Sequence, residues 1–419
     1  MNRSPCLVPA AVAAPAAAPP SAAPPSAALG AAALLALLLA LLLPAATARA
    51  DAPAIPVGLL VQHQARPPGL ANLDVPPEDE GLPGARLAID DNNTTGRFTG
   101  QTFALQAELL AQDADPVTAF RRMRQAGIDL FVLQLPADAL LRVADLPEAA
   151  DALLLNAAAP DDRLRSGDCR AGLLHVAPSR AMLADALAQF LVRKRWSDWL
   201  LVQGARPEDA LFAAAIRRAA ERFGAEIVAE RQWDYGPDAR RSAQAEVPVF
   251  TQGVDYDVLV VADEVGLFGD YLIYRTWDPR LVAGTQALVP TSWHTTAEQW
   301  GATQLQNRFE EAHGRRMRPL DYQAWLAVRA FGEAALRTRS ADPAVLSAFM
   351  RGPDFRLQGF KGRALTFRDW NGQLRQPILL AAPASMVSTS PQEGFLHETE
   401  ELDTLGLDRR ESDCRTTSG

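Results

Sequence analysis

The residues able to do covalent or metal chemistry are few and poorly grouped. Five histidines are scattered through 419 residues, and none has the HExxH spacing that puts two imidazoles on one helix face for zinc. Two acidic runs, Glu78–Asp79–Glu80 and Asp90–Asp91–Asn92, offer oxygen ligands to a hard cation. Neither carries the glycine and distal glutamate of a calcium loop, so a solvated loop and a helix end are the better readings. There is no GxSxG elbow, no GxxxxGK phosphate loop, and no GxGxxG after the first apolar run. Cys169 and His175 are close enough in sequence to suggest a nucleophile and its base, but a thiolate role would forfeit a bridge between Cys169 and Cys414. These residues point to a binding protein and not an enzyme, with no cofactor and no metal.

What remains is polar and neutral. In open parallel sheets a ligand sits beyond the carboxyl ends of the strands, so the residues just past each apolar run are the ones that would touch it. Here they are Gln62 and His63, Gln134 with Pro136, Asn156, Gln203, and Asp263 with Glu264. Such side chains orient a small molecule more readily than they transform it; each would serve equally well as a helix cap. Aromatic residues gather further on. Phe268, Tyr271, Tyr274, Trp277, Trp293, His294 and Trp300 form a dense patch in a chain that is only 7% aromatic, and broad ring faces suit an aromatic or alcohol-derived ligand or a quinone. Core packing is the alternative for each ring; Trp293 and His294 are the best candidates for a cleft because they fall where the chain turns back.

The elements that must position these groups alternate. IPVGLLVQH reads as a strand, Gly84 to Ile89 as a short helix ended by DDNNTTG, and TFALQAELL as the next strand. Pro116 opens a helix that closes at Gly127, IDLFVLQLP is a strand apolar enough to be covered on both faces, and DALLLNAAAP follows as another. The rhythm restarts near Gly172 with LLHVAPS, a helix from Ser179 to Arg195, SDWLLVQG, a helix from Pro207 to Phe223, AEIVAERQW, a polar stretch containing a helix, and YDVLVVADE. Two βα series in succession predict two lobes, which the length also favours. Past Arg280 a strand over Gly284 to Val289, helices over Ala297 to His313 and Asp321 to Arg337, and a hairpin turning at Asn371–Gly372 are expected.

Residues 1–50 stand apart. An apolar run from Ala28 to Leu43 precedes Ala48–Arg49–Ala50, the small-x-small pattern of a cleaved export signal, with a retained anchor as the competing reading. Cys6 lies far before the run and leaves with it. Without Arg3 and Arg49 the charge balance is 39 basic against 50 acidic residues, a net of −11, which disfavours nucleic acid and anionic membranes as partners. In an oxidising compartment the remaining pair, Cys169 and Cys414, is expected to form a disulfide, with buried free thiols as the alternative.

The opening unit, GARLAIDDNNTTGRFTGQTFAL, resembles that of the type I periplasmic binding proteins, the branched-chain amino acid receptors of ABC importers, and the likeness keeps step from residue 55 to about 385. The resemblance implies an α/β fold of two Rossmann-like lobes with parallel sheets joined by a hinge: leader 1–50, first lobe 51–171, second lobe 172–283, return to the first lobe 284–350, a hairpin of the second lobe 351–385, and a polar, partly disordered tail 386–419. PLDYQAWLAVRAF resembles the family's helix that follows a tyrosine at the cleft edge, which nominates Tyr322. The segment CRAGLLHVAPSRAMLADALAQFLVRKRWSDWLLV resembles the receptors encoded beside pyrroloquinoline-quinone-dependent alcohol dehydrogenases. The sequence departs from the amino acid receptors where their serine and threonine hydroxyls would be: it has Leu135–Pro136–Ala137–Asp138 and Ala157–Ala158–Ala159–Pro160. The resemblance therefore implies a monomeric periplasmic protein that closes on a small non-amino-acid ligand and presents it to an ABC permease. A sensor docking on a histidine kinase, or a chaperone for a cofactor or metal, remain the alternatives.

Overall fold

Strands buried on both faces must sort alternate side chains to opposite sides of their sheet, and the two parallel sheets among the described residues are built on that rule. The computed structural model describes residues 54–64, 76–234 and 239–414. The expected leader, with the cleavage point expected near Ala50, and part of the insert after His63 lie outside these.

The first sheet is parallel, in the order β2 (Phe103–Leu110), β1 (Ile55–Gln62), β3 (Leu130–Gln134), β4 (Leu153–Asn156), β5 (Leu173–His175). Val57, Leu59, Leu130 and Val132 face one core, while Leu60, Phe131 and Leu133 face another. Helices α2 (Pro116–Gln125) and α3 (Ala137–Ala144) cover the second face with Phe120, Met123, Leu140 and Val143. The first face is covered by α1 (Leu82–Gly96) and, much later in the chain, by α8 (Ala302–His313) and α9 (Pro319–Thr338). The second sheet is also parallel, in the order β7 (Glu226–Gln232), β6 (Asp198–Gln203), β8 (Val258–Ala262), β9 (Leu281–Gly284). Helices α4 (Arg180–Arg193) and α5 (Pro207–Phe223) cover one face; α6 (Ala239–Thr251), in the expected polar stretch, and the short α7 (Gly269–Leu272) lie on the other.

Several expectations need correction. Helix α1 runs through Asp90–Asp91–Asn92–Asn93 to Gly96 and does not stop at them. Tertiary partners outweigh the poor propensity: Asn92 Nδ2 donates to Val328 O (2.9 Å), Asp91 Oδ2 accepts from the Trp325 indole (2.9 Å), and Asn93 exchanges two bonds with the Phe103 backbone. Glycines let α1 and α9 approach: a Cβ on Gly84 would lie 1.9 Å from Asp321 O. The strand Leu173–His175, expected to open the second lobe, pairs with β4 as the edge of the first sheet; the second core begins only with α4. Gly284 to Val289 is not one strand of the first lobe. Its start ends β9 in the second sheet, and β10 (Val289–Thr291) pairs antiparallel with β14 (Ile378–Ala382), which pairs in turn with β15 (Ser385–Ser390).

The turn at Asn371–Gly372 does join antiparallel β12 (Ala364–Phe367) and β13 (Leu374–Arg375), but Leu365, Phe367 and Leu374 pack into the first-lobe core. With β11 (Leu357–Gln358), which follows α10 (Pro343–Arg351), this small sheet belongs to the first lobe, and only β14 onward feeds the second core through Ile378 and Leu380. The acidic tail is ordered through Cys414. Leu402 and Leu405 are buried, Asp403 pairs with Arg368 (2.7 Å) and Arg375 (2.8 Å), and Asp185 accepts from Gly406 N (2.7 Å), Arg218 and Arg222. A Cys169–Cys414 disulfide closes it. Read alone, the tail's charge looked like solvation; its partners lie more than 200 residues upstream for the contacts to Asp185.

Candidate functional site

The carboxyl end of β3 meets the first turn of α9, and Asp321 organises the junction. Fully buried, it accepts from the Gly81 N–H that opens α1 (2.8 Å), from both Nη atoms of Arg315 (2.6 and 2.9 Å) and from Arg318 N (3.0 Å). Each charge-assisted bond offsets part of the carboxylate's desolvation. Gln134, ending β3, donates Nε2 to Leu320 O (2.9 Å), and Gly81, at φ 101°, has room only for hydrogen because a Cβ would lie 1.9 Å from Gln134 Oε1. Tyr322 is fully buried; its hydroxyl donates to Gly359 O (2.5 Å) and its ring stacks on Trp293 at 4.4 Å. Gln323 donates to Ser292 Oγ (2.9 Å).

Four buried polar atoms around this turn have no partner among the described residues: Gln134 Oε1, Gln323 Oε1, the Trp293 indole N–H and Arg315 Nε. Buried polar groups are nearly always satisfied, so two acceptors and two donors left open beside a strand-end junction make it a candidate place for a small polar group. His294 adjoins it, half-buried, its Nδ1 near Thr296 Oγ1 (2.7 Å) and Thr296 N (3.2 Å); burial lowers its pKa and favours the neutral ring.

The other strand ends are occupied by the protein itself. Asn156 accepts from Ala158 N and Ala159 N, donates to Ala159 O and lies 3.2 Å from His175 Nδ1, closing the turn after β4. Asp263 accepts from Leu267 N, Phe268 N and Gly269 N at 2.7–2.9 Å, shaping the loop after β8. Gln203 accepts from Arg217, and Gln62 donates to Gln112 O and Ala114 O beside half-buried His63. Glu264 holds Arg180 through paired bonds of 2.8 and 2.7 Å, and Arg180 also lies 3.2 Å from Asp161, so one guanidinium joins the loop after β8 in the second sheet to the loop after β4 in the first. Burial raises the Glu264 pKa against the pull of Arg180.

The structure thus gathers Gln134, Trp293, Tyr322 and His294, and places Asn156, Gln203, Asp263 and Glu264 in separate internal bonds. Arg180, Asp321, Ser292 and Gln323 escaped the sequence analysis. Arg180 did leave a signal: a cation in the first turn of a helix opposes the dipole and needs acidic company. The aromatic patch is divided: Phe268 stacks on Trp233 in the second core, whereas Tyr274, Trp277 and Trp300 are exposed. No described cluster of His, Cys, Asp and Glu could hold a metal. The acidic runs are spent on arginines, Asp79 on Arg315, Glu80 on Arg318 and Asp91 on Arg308. No described helix is long and apolar enough to cross a membrane.

A family model described as periplasmic binding protein matches residues 78–384. Among solved structures, a branched-chain amino acid ABC transporter periplasmic ligand-binding protein from Burkholderia xenovorans is similar at a TM-score of 0.67 and 16% identity, over 86% of this chain and 99% of that one. A leucine-, isoleucine-, valine-, threonine- and alanine-binding protein from Brucella ovis, in a closed conformation, gives 0.62 and 14% over 81% and 95%. An ABC transporter solute-binding protein from R. palustris in complex with benzoate gives 0.61 and 13% over 86% and 99%. At these identities the likeness establishes the fold. No curated protein matches the sequence.

Proposed function

The chain belongs to the periplasmic binding protein family, and from that membership we propose that it is the solute-binding protein of an ABC importer, holding a small non-amino-acid ligand between its lobes and presenting it to a permease. Residues on both lobes touch the ligand only in the shut form, so the ligand drives closure by its differential affinity and the permease reads the shape. The observation that carries the ligand assignment is the set of open polar atoms at the first turn of α9: Gln134 Oε1 and Gln323 Oε1 accept, and the Trp293 N–H donates. A hydroxyl or carboxyl group can answer both kinds.

Nearby backbone turns lack the hydroxyls that would suit an amino acid: Leu135, Ala137, Ala157 and Ala159 are buried and apolar. The benzoate held by the R. palustris protein supports an aromatic or alcohol-derived acid as the class. The likeness of residues 169–202 to receptors beside pyrroloquinoline-quinone-dependent alcohol dehydrogenases supports a supply role in that oxidation. The test is a thermal-shift screen of the exported protein against alcohols, aldehydes, aromatic and aliphatic acids, amino acids and the quinone cofactor. A true ligand at a hundredfold excess over its Kd adds about 2.7 kcal/mol to stability. A response to leucine alone, with none to the acids or alcohols, refutes the proposed class.

A further inference from the structure

Away from the strand-end junction, a cavity of about 180 Å³ opens where the chain crosses between lobes, lined by Trp300, Lys361, Arg363, Pro377, Thr389 and Ser390 among others. Roughly 150 Å³ accommodates a benzene ring when the walls are apolar. Trp300 precedes α8 and Lys361 lies between β11 and β12, both on the first lobe; Pro377 is the link from β13 to β14, and Thr389 and Ser390 lie on β15. The cavity is therefore walled by both lobes.

Its chemistry is unbalanced. Lys361 is 5% exposed, and its Nζ donates to Gln376 Oε1 (2.8 Å) and Pro377 O (3.0 Å) and stands 4.9 Å from the Tyr322 ring centre. All of these are neutral, and among the described residues no carboxylate pairs with it. Buried cations are as a rule paired with an anion. Burial accordingly pushes the Lys361 pKa well below its ordinary range. Arg363, half-exposed at the same cavity, pairs with Glu401.

The aromatic wall is also held under constraint. Trp300 is 68% exposed yet sits at φ 58°, and Phe360, next to Lys361, sits at φ 56°; bulky side chains take left-handed backbone only where surroundings impose it, and such residues cluster at ligand sites. Gly362 makes the arrangement possible, because a Cβ there would come within 2.7 Å of the Trp300 ring.

We propose that this cavity is a second ligand site that takes a small aromatic carboxylate, its ring against Trp300 and its carboxylate toward Lys361 and Arg363. The anion supplies the counter-charge that Lys361 lacks, and the bound molecule touches both lobes where they join. Nothing in this depends on what the strand-end junction binds.

Calorimetric titration of the exported protein with benzoate tests it, with benzyl alcohol as the uncharged comparison. Benzoate should bind saturably and benzyl alcohol at least about tenfold more weakly, because a charge-assisted bond is lost. Lys361→Met and Trp300→Ala should each remove one equivalent of bound benzoate or weaken it roughly tenfold to a hundredfold, while Gln134→Leu leaves that equivalent in place. Trp300 is on the surface, so its variant stays folded even if Lys361→Met does not. No saturable benzoate binding, or benzoate bound with unchanged number and affinity in Trp300→Ala, overturns the proposal.

Discussion

Trp293 was the leading cleft candidate on sequence grounds, and the structure gives it a second duty that changes what its removal should do. It is 1% exposed and stacked at 4.4 Å on Tyr322, inside the core that contains β1 and α9. Deleting a buried indole costs about 3–5 kcal/mol in lost burial and cavity. The ring pair contributes about 0.5–1.5 kcal/mol beyond area, and the open indole N–H gives back about 1–3 kcal/mol when it is removed. Trp293→Ala should therefore lower the unfolding free energy by about 3–5 kcal/mol, a large share of the roughly 5–15 kcal/mol typical of a domain.

Trp293→Phe keeps a ring against Tyr322 and deletes the unpaired donor, so its net cost should stay within about 1 kcal/mol. The assay is equilibrium urea unfolding of wild type and both variants, comparing midpoints at constant slope. A loss below about 1 kcal/mol for Trp293→Ala, or equal losses for the two variants, refutes the packing argument. The phenylalanine variant also isolates the ligand contact: if it is stable and still binds with full affinity, the indole N–H is no part of the site.

Three further outcomes are expected. Replacing Cys169 and Cys414 by serine frees a loop spanning 245 residues; chain entropy sets an upper limit of about 5.5 kcal/mol on the loss, and the unfolding free energy of the double variant, read from urea unfolding, should fall by about 2–5 kcal/mol. Asp263→Ala leaves the N–H groups of Leu267, Phe268 and Gly269 without their acceptor; it should cost about 3 kcal/mol or more, with Asp263→Asn costing less, again by urea unfolding. Burial first, then Arg165 and Arg351, holds the His175 pKa well below 6.5, so below that pH the unfolded chain binds the extra proton and the folded one does not. Stability should fall as pH drops below 6.5, with a slope approaching about 1.4 kcal/mol per pH unit from this group and none from it above; His175→Gln should flatten that window in stability-against-pH curves.

The periodic signals carried the parallel strands well. IPVGLLVQ, LFVLQ and VLVVA are apolar at nearly every position because both faces are covered, and a strand of that kind can be recognised without its neighbours. The Asn371–Gly372 turn was equally local: Gly372 at φ 68° meets a backbone demand that the dipeptide announces. The misreadings share one cause. Asp91, Asn92 and Asn93 look like helix breakers until Trp325, Val328 and Phe103 supply their partners, and the acidic tail looks solvated until Arg218, Arg368 and Arg375 meet it. At the candidate site, strand-end position nominated Gln134, but it nominated Asn156 and Asp263 by the same logic, and only their hydrogen bonds separate an amide with an open oxygen from side chains spent on their own loops.

By itself, then, the order of residues determined the βα rhythm, because that rests on local periodicity, and its opening unit carried a resemblance to the binding-protein family; it offered Cys169 and Cys414 as a pair but left free thiols as the alternative until the structure joined them. Which strand closes the first sheet, which lobe the hairpin joins, which polar atoms stay open around Trp293, and that only neutral groups bond Lys361 among the described residues were decided by tertiary structure. Burial and hydrogen-bond satisfaction are properties of surroundings that distant segments assemble, and no single stretch of chain contains them.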